Sequence, residues 1–482
     1  MTNVLRRAKR WLYLVHRWLG IAGCLMFAVW FASGMVMMYV AYPALTPHER
    51  LAGLPAIAWD RVKVSPNAAL ESARLARYPA RFVLEMMATE PVYRIVGSDG
   101  EHVSLSALDG RRIESVDAAA AVRIAEAFGG RSARLEETLE RDQWTVPQGL
   151  DRFRPLYRVA LDGDEGRELY VSARNGEVVR DTTRVERFWN WLGSVPHWIY
   201  FTPLRADQPL WRQVNLWVSG ILMIVPVAGL VIGILRYRPR RHYHSGRSSP
   251  YRGWHRWHHV AGLVGGAFLL TWIVSGWLSV NPNRWFTERG LEADRLLEYS
   301  GHSEATFARV APLAAGSGAF KEARFFWSLG KPRVLLANST QVRVVDAETG
   351  TQGTQSPDAL FDAARRLVPD GRLAERVVLA EDDAYWYSHH DRRPLPVLRA
   401  IFDDAHGTWV HIDPKSGAVL GTLDANDRGQ RWLFNAMHQL DFPGLVQRRP
   451  VWDALMLALL SCGLVTSLSG VVIGVRRLRR SL

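Results

Sequence analysis

Two short runs of this sequence carry the same unusual combination. VHRWLGIAG spans Val15 to Gly23 and WHRWHHVAG spans Trp254 to Gly262, and each sets a histidine, an arginine and a tryptophan at the mouth of a long apolar segment. A second pair, His197 and His438, stands 241 residues apart, just before two further apolar segments. An ionisable residue is expensive at membrane depth, so its presence there points to function. For histidine that function is metal ligation through a neutral ring nitrogen. The competing role is an interfacial anchor, in which His16 and His255 sit among lipid headgroups with Arg17, Arg256, Trp18 and Trp257.

The apolar segments that would position these residues run from Trp11 to Tyr42, Leu210 to Leu235, Val260 to Val280 and Val451 to Val475. Each exceeds the roughly 20 helical residues needed to cross a hydrocarbon core about 30 Å thick. A composition 48% hydrophobic with 20 tryptophans agrees with a membrane protein. The net charge of +13 does not call for nucleic acid, because the basic residues flank the spans. Arg6, Arg7, Lys9 and Arg10 precede the first. Arg236, Arg238, Arg240, Arg241, Arg247 and Arg252 crowd the connection between the second and third, and Arg476, Arg477, Arg479 and Arg480 follow the fourth. Both termini and the middle loop are therefore expected in the cytoplasm, with two long polar segments outside. The first span is too long for a signal-peptide core and shows no small-residue cleavage site, so it reads as a retained anchor. Cys24 and Cys462 both lie inside spans, which leaves no disulfide framework and no covalent haem motif.

The chain repeats itself. The offset of 241 that joins His197 to His438 also joins Trp191 to Trp432, Phe201 to Phe442, Pro209 to Pro450, Trp211 to Trp452, Gly229 to Gly470 and Gly233 to Gly474. At the front of each half an offset of 239 matches His16, Arg17 and Trp18 with His255, Arg256 and Trp257. Each half reads as span, external domain, span, in the same orientation, and parallel repeats of this kind put equivalent residues at equal depth on opposite sides of an axis along the membrane normal. The divisions expected are 1–45 for the N-terminus and first span, 46–185 for one external domain, 186–238 for an elbow and the second span, 239–252 for a loop, 253–281 for the third span, 282–425 for the second external domain, and 426–482 for an elbow, the fourth span and the C-terminus. Ser65 and Pro66 suit a helix start, RFVLEMM, PVYRIVGSDG and EHVSLSALDGRRI read as strands parted by Asp-Gly turns, and DAAAAVRIAEAFGG reads as a helix. Gly176 and Gly417 mark matching turns, so the repeat includes these α+β domains.

The order HRWLG, an external α+β insertion with (D/N)-x-G turns, a WL-plus-histidine elbow and a GLVIG span resembles the PepSY-associated transmembrane family, often described as iron-regulated membrane proteins. The resemblance covers nearly the whole chain. It implies an α-helical membrane protein of four spans, in two parallel repeats of two, with PepSY-like periplasmic domains in a bacterial inner membrane. It further implies ferric-siderophore reductase activity and two haems.

Imidazole is a common axial ligand of haem iron, and a closed bis-histidine site needs two from opposite sides, which paired repeats supply. The expected sets are His16 with His255 and His197 with His438, too far apart across the core to share an iron. Both haems would be of b type. Three histidines open the third span, and His258 and His259 stay candidates for ligation or for another metal or proton role, although the 239 alignment favours His255. Arg17 and Arg256 are candidates for haem propionates. Gly20, Gly23, Gly262, Gly265 and Gly266 would admit a flat macrocycle or pack helices. The tryptophans at 189, 191, 198, 211, 432 and 452 read as an interfacial belt. DDAYWYSHHD, from Asp382 to Asp391, reads as a solvated loop or as a metal or substrate contact.

On this reading, electrons pass from inner to outer haem and reduce an Fe(III) chelate such as a ferric siderophore, whose hard oxygen ligands hold Fe(II) less well. No nicotinamide or flavin motif is present, so the donor is a quinol or a separate cytoplasmic reductase. The competing classes are a haem-free PepSY-type regulator of periplasmic peptidases, which needs no ligand pairs, and a transporter, for which Pro226 is the lone helix-breaking hint.

Overall fold

Runs of apolar residues without interruption by charge form the longest helices. In the computed structural model, which describes residues 3–75, 79–240, 243–286, 289–301, 319–389 and 393–480, four helices are long and apolar enough to cross a membrane. They are Asn3–Met37, Gln208–Arg236, Gly253–Ser279 and Arg449–Leu478, called here the first to fourth spans. The second is interrupted in its hydrogen bonding at Met223, three residues before Pro226, which lacks the amide donor a helix interior uses. Of the basic residues flanking the spans, Arg241 lies outside the described residues, as do His390 and Asp391 of the DDAYWYSHHD run.

The chain divides into two compact units, one of Met1–Tyr42, Val185–Thr287 and Arg428–Leu482, the other of Pro43–Arg184 and Glu288–Asp427. In the first unit the second and fourth spans each pack against both the first and the third, which puts the two repeats' leading helices diagonally opposite. Phe27, Phe31, Leu222, Trp272, Met456 and Leu460 fill the centre. Small residues allow the close approach. A β-carbon on Gly463 would stand 2.2 Å from the Phe31 ring, and one on Gly265 would stand 3.0 Å from the Cys462 carbonyl oxygen. A β-carbon on Gly23 would meet Leu222 at 2.5 Å. Gly23 and Gly265 therefore pack helices in this bundle.

The second unit is α+β with three antiparallel sheets. Its strands are β1 (Pro79–Met87), β2 (Glu90–Gly97), β3 (His102–Ser106), β4 (Ala133–Leu139), β5 (Leu156–Leu161), β6 (Glu168–Ser172), β7 (Val178–Thr182), β8 (Glu322–Ser328), β9 (Lys331–Ala337), β10 (Val342–Asp346), β11 (Leu373–Leu379), β12 (Val397–Phe402), β13 (Trp409–Ile412) and β14 (Val419–Leu423). One four-stranded sheet runs β4-β5-β6-β7 and its repeat runs β11-β12-β13-β14. The third sheet has six strands in the order β10-β9-β8-β1-β2-β3, so the two polar segments join through the β1–β8 pair. Local signals hold where they were explicit. The Ser65 side chain accepts from the Ala68 amide ahead of Pro66–Ala73, Asp117 caps Ala118–Gly129, and Gly176 and Gly417 take the left-handed conformation at φ 72° and 73°.

Candidate metal centres

The first unit brings its histidines together in two pairs. His16 on the first span lies 6.2 Å, ring centroid to centroid, from His258 on the third, and His197 lies 6.3 Å from His438. The second pair is the one expected from the repeat. In the first, His258 takes the place expected for His255, whose exposed ring stacks on Tyr251 at 6.4 Å.

The reason is a helical register that the HRW match conceals. Contacts relate the first and third spans by an offset of 242, which pairs His16 with His258, Gly20 with Gly262, Gly23 with Gly265, Trp30 with Trp272, Ser33 with Ser275 and Gly34 with Gly276. Three residues, less than one helical turn, separate this register from the 239 match, so both put histidine on nearly the same face. The two registers compete near the helix start, and only the longer one persists along the span.

Hydrogen bonds fix each ring. The His16 Nδ1 meets the Val225 carbonyl at 3.1 Å and the His258 Nδ1 meets the Thr466 carbonyl at 3.1 Å, equivalent positions 241 apart. A carbonyl only accepts, so both Nδ1 atoms carry hydrogen and Nε2 keeps the lone pair of the neutral ring. His258 Nδ1 also lies 3.2 Å from the Ser469 hydroxyl. In the second pair His197 Nδ1 lies 3.0 Å from the Ser33 hydroxyl and His438 Nδ1 lies 3.0 Å from that of Ser275. Both hydroxyls donate their own hydrogen to main-chain carbonyls of the preceding turn, so they accept from the imidazoles.

Glycine makes room for the rings. A β-carbon on Gly229 would stand 2.7 Å from His16 Cε1 and one on Gly470 would stand 3.3 Å from His258 Cε1; on Gly34 and Gly276 the distances to His197 and His438 would be 3.6 and 3.3 Å. The short elbows carrying His197 and His438 are held by indoles. Trp211 Nε1 donates to the Trp198 carbonyl and Trp452 Nε1 to the Gln439 carbonyl, each at 2.9 Å and each to the residue following a paired histidine. These two tryptophans are braces, whereas Trp189, Trp191, Trp198 and Trp432 are exposed as a belt requires.

His259 is buried and has both nitrogens engaged, Nε2 with the Gly233 carbonyl at 2.9 Å and Nδ1 with the Ser249 hydroxyl at 2.8 Å. It ties the connection and the second span to the third and offers no lone pair. Arg17 is exposed in an open basic groove with Arg6, Lys9 and Arg10, and Arg256 is exposed on the third span. In the second unit, Trp386 of the DDAYWYSHHD run is buried, stacked on His411 at 4.5 Å. Burial, with Arg399 beside it, pushes His411 down to about 3, so it is a neutral acceptor for the Arg399 Nε at 2.8 Å.

The paired residues fit haem iron. A metal–imidazole bond is about 2.0–2.1 Å and the ring centroid lies about 1.1 Å behind the nitrogen, so two rings ligating one ion in line stand about 6.2–6.4 Å apart. Both pairs match that span with Nδ1 occupied and Nε2 as the remaining donor. Among the described residues no group of three or more His, Cys, Asp or Glu side chains converges, so each pair would offer an ion two such side chains. Ser194, fully buried one turn before His197, has a hydroxyl with no hydrogen-bond partner, a polar group suited to a propionate. Comparison with protein families, curated proteins and solved structures finds no match to this chain.

Proposed function

We propose that this chain is an inner-membrane electron-transfer protein that holds two b-type haems, one between His16 and His258 and one between His197 and His438, and reduces Fe(III) chelates of the siderophore class. The observation that carries the reading is the duplicated pair itself. Two independent sets of imidazoles stand at the same separation, each Nδ1 is committed, and the partner groups recur at matching positions of the repeat. Among the described residues the hydrogen bonds of these four rings run through Nδ1, which leaves each Nε2 lone pair for a metal.

Haem held there would supply one-electron exchange between Fe(III) and Fe(II). The residues of the chain that would hold it are the four paired histidines through Nε2, with the buried Ser194 hydroxyl one turn before His197 and the exposed Arg17 and Arg256 as the groups that would meet its carboxylates. The arginine-rich ends of the spans favour a cytoplasmic location for the His16–His258 end, so the donor, a quinol or a cytoplasmic reductase, loses its electron on that side. The chelate would gain it on the periplasmic side. One electron per iron converts Fe(III) to Fe(II), which hard oxygen ligands release. The PepSY-like resemblance of the sequence supports the same function.

The test uses protein in vesicles with an external ferric siderophore and an Fe(II) trap. His197→Ala and His438→Ala should abolish trapped iron while the first-pair haem remains reducible from the other side. Unchanged iron reduction in both variants would remove the second pair from the pathway.

A further inference from the structure

The helix Arg184–Leu192 leads into the elbow that carries His197, and its amphipathicity is reversed. Val185, Phe188, Trp189 and Leu192 follow the i, i+3, i+4, i+7 spacing of one helical face, and they are 63, 59, 41 and 50% exposed. Asn190, on the opposite face, is 1% exposed, with Glu186 and Arg187 half-buried on either side of it. The third charge of the helix, Arg184, stands at its first residue. A helix on a water-soluble surface turns its apolar stripe to the core and its polar residues outward. Here the outward face is the apolar one.

The helix is held where a span ends. Asn190 Nδ2 donates to the Ala41 carbonyl at 2.9 Å, four residues beyond the first span, and a β-carbon on Gly193 would stand 2.9 Å from Val36 in that span's last turn. From Val185 onward the helix belongs to the compact unit of the four spans. The mouth of a membrane-crossing helix is where the bilayer surface lies, and a short helix with an outward apolar stripe fits the headgroup–acyl boundary, into which interfacial helices sink their apolar face by about 5–10 Å. A belt of tryptophans alone does not call for Val185, Phe188 and Leu192 in register with Trp189. The other half of the repeat sharpens the point. At the offset of 241 the equivalents of Val185, Phe188 and Trp189 are Asn426, Gly429 and Gln430, all half-buried, and Leu433 is the apolar equivalent of Leu192. The two elbows match at their histidines and differ at this surface.

We infer that Val185, Phe188, Trp189 and Leu192 form a lipid-binding face, seated in the headgroup–acyl boundary of the leaflet at the His197 end of the bundle, and that the repeat carries this anchor in one half only. The leaflet thereby fixes the path of the chain into Gly193 and His197. In the other elbow the equivalent of Asn190 is Arg431, whose guanidinium donates to the Asp441 carbonyl and ties that elbow to itself. The inference rests on the four spans crossing a bilayer and is independent of haem.

The experiment places a photoreactive side chain, p-benzoylphenylalanine, singly at Phe188, at Leu192 or at Gln430 in the full chain, reconstitutes each protein in phosphatidylcholine vesicles, and locates the adducts formed on illumination by mass spectrometry. Phospholipid adducts at Phe188 and Leu192, several-fold fewer at Gln430, are the result expected. Phe188→Glu should lower the adduct at Leu192 several-fold, because a charge resists burial in the face, whereas Phe188→Leu should keep it. If the protein probed at Phe188 fails to fold, the probe at Leu192 reads the same face with Phe188 in place. Crosslinks from both positions to a second copy of the chain, or no adduct at either, would overturn the inference. Adducts at Gln430 as abundant as at Phe188 would overturn its restriction to one half. The haem content of each preparation keeps the two readings apart: lipid adducts on a chain without haem would support the anchor and remove the electron-transfer reading, and a haem-loaded chain without lipid adducts would do the reverse.

Discussion

Which ring nitrogen is committed decides what a buried histidine can do. His258 and His259 are neighbours on one helix, yet His258 spends only Nδ1 on the protein whereas His259 spends both nitrogens. His259→Ala should therefore keep both haems and lower thermal stability, by about 1–3 kcal/mol for the stranded Gly233 carbonyl and Ser249 hydroxyl, as a melt followed at the haem band would show. The ring planes are a second handle. His197 and His438 are 79° apart and His16 and His258 are 42° apart, and near-perpendicular axial imidazoles give a highly anisotropic low-spin signal. Wild type should show that signal from one haem, and His438→Ala should lose it. Away from the spans, His411 is held neutral at pH values where an unfolded histidine is charged. Its folded value, about 3, lies below the ordinary 6.5, so the unfolded state binds the extra proton and stability falls as pH drops through that window, by about 1.4 kcal/mol per unit at most. A denaturation series between pH 7 and 4 should show this slope, reduced in His411→Gln.

Helices set the rings by what they omit. Gly229 and Gly276 face histidine rings so closely that a methyl group must displace them, at 2.7 and 3.3 Å. Gly229→Ala should reduce haem at the first pair with the second retained, measured by absorbance against protein, whereas Gly149→Ala, with nothing within 4 Å, should change neither. Much of this level was legible. Apolar length marked four helices, Ser65 and Pro66 marked a helix start, and a constant offset of 241 paired His197 with His438 and Gly229 with Gly470. The partner of His16 was not, because HRW recurs at 255–257 by a local match three residues away from the register in which Ser33, Gly34 and Trp30 recur. Side-chain identity at one short motif outweighed periodicity along the whole helix. The carbonyls of Val225 and Thr466 leave no trace in any side chain, since every residue carries the same acceptor.

At the scale of the whole molecule the repeat does more than duplicate a site. β1 and β8 come from different halves and pair in register with Glu85 opposite Glu322, two buried carboxylates that repel. Arg50, in the last turn of a helix, Pro47–Gly53, capped by Thr46 and Glu49, binds both. Burial alone would raise Glu322, but Arg50, Arg324 and Arg81 hold it below the usual carboxylate range. Its contribution is therefore present at neutral pH and lost on acidification. Arg50→Met should cost the sheet about 1–3 kcal/mol, since Glu85 keeps Arg94 and Glu322 keeps Arg324 while both lose the partner they share, visible as earlier urea unfolding of the full chain. Alternation and turns made the single strands readable in each half, but nothing local to either half marks a partner more than 230 residues away. Electron transfer through this bundle requires that these four histidines hold two haems. The direct measurement is the haem-to-protein ratio of purified wild type, His258→Ala and His255→Ala, by reduced absorbance spectrum. Two haems per chain in wild type and His255→Ala and about one in His258→Ala is the result predicted; no haem in wild type, or a full complement in His258→Ala, would contradict it.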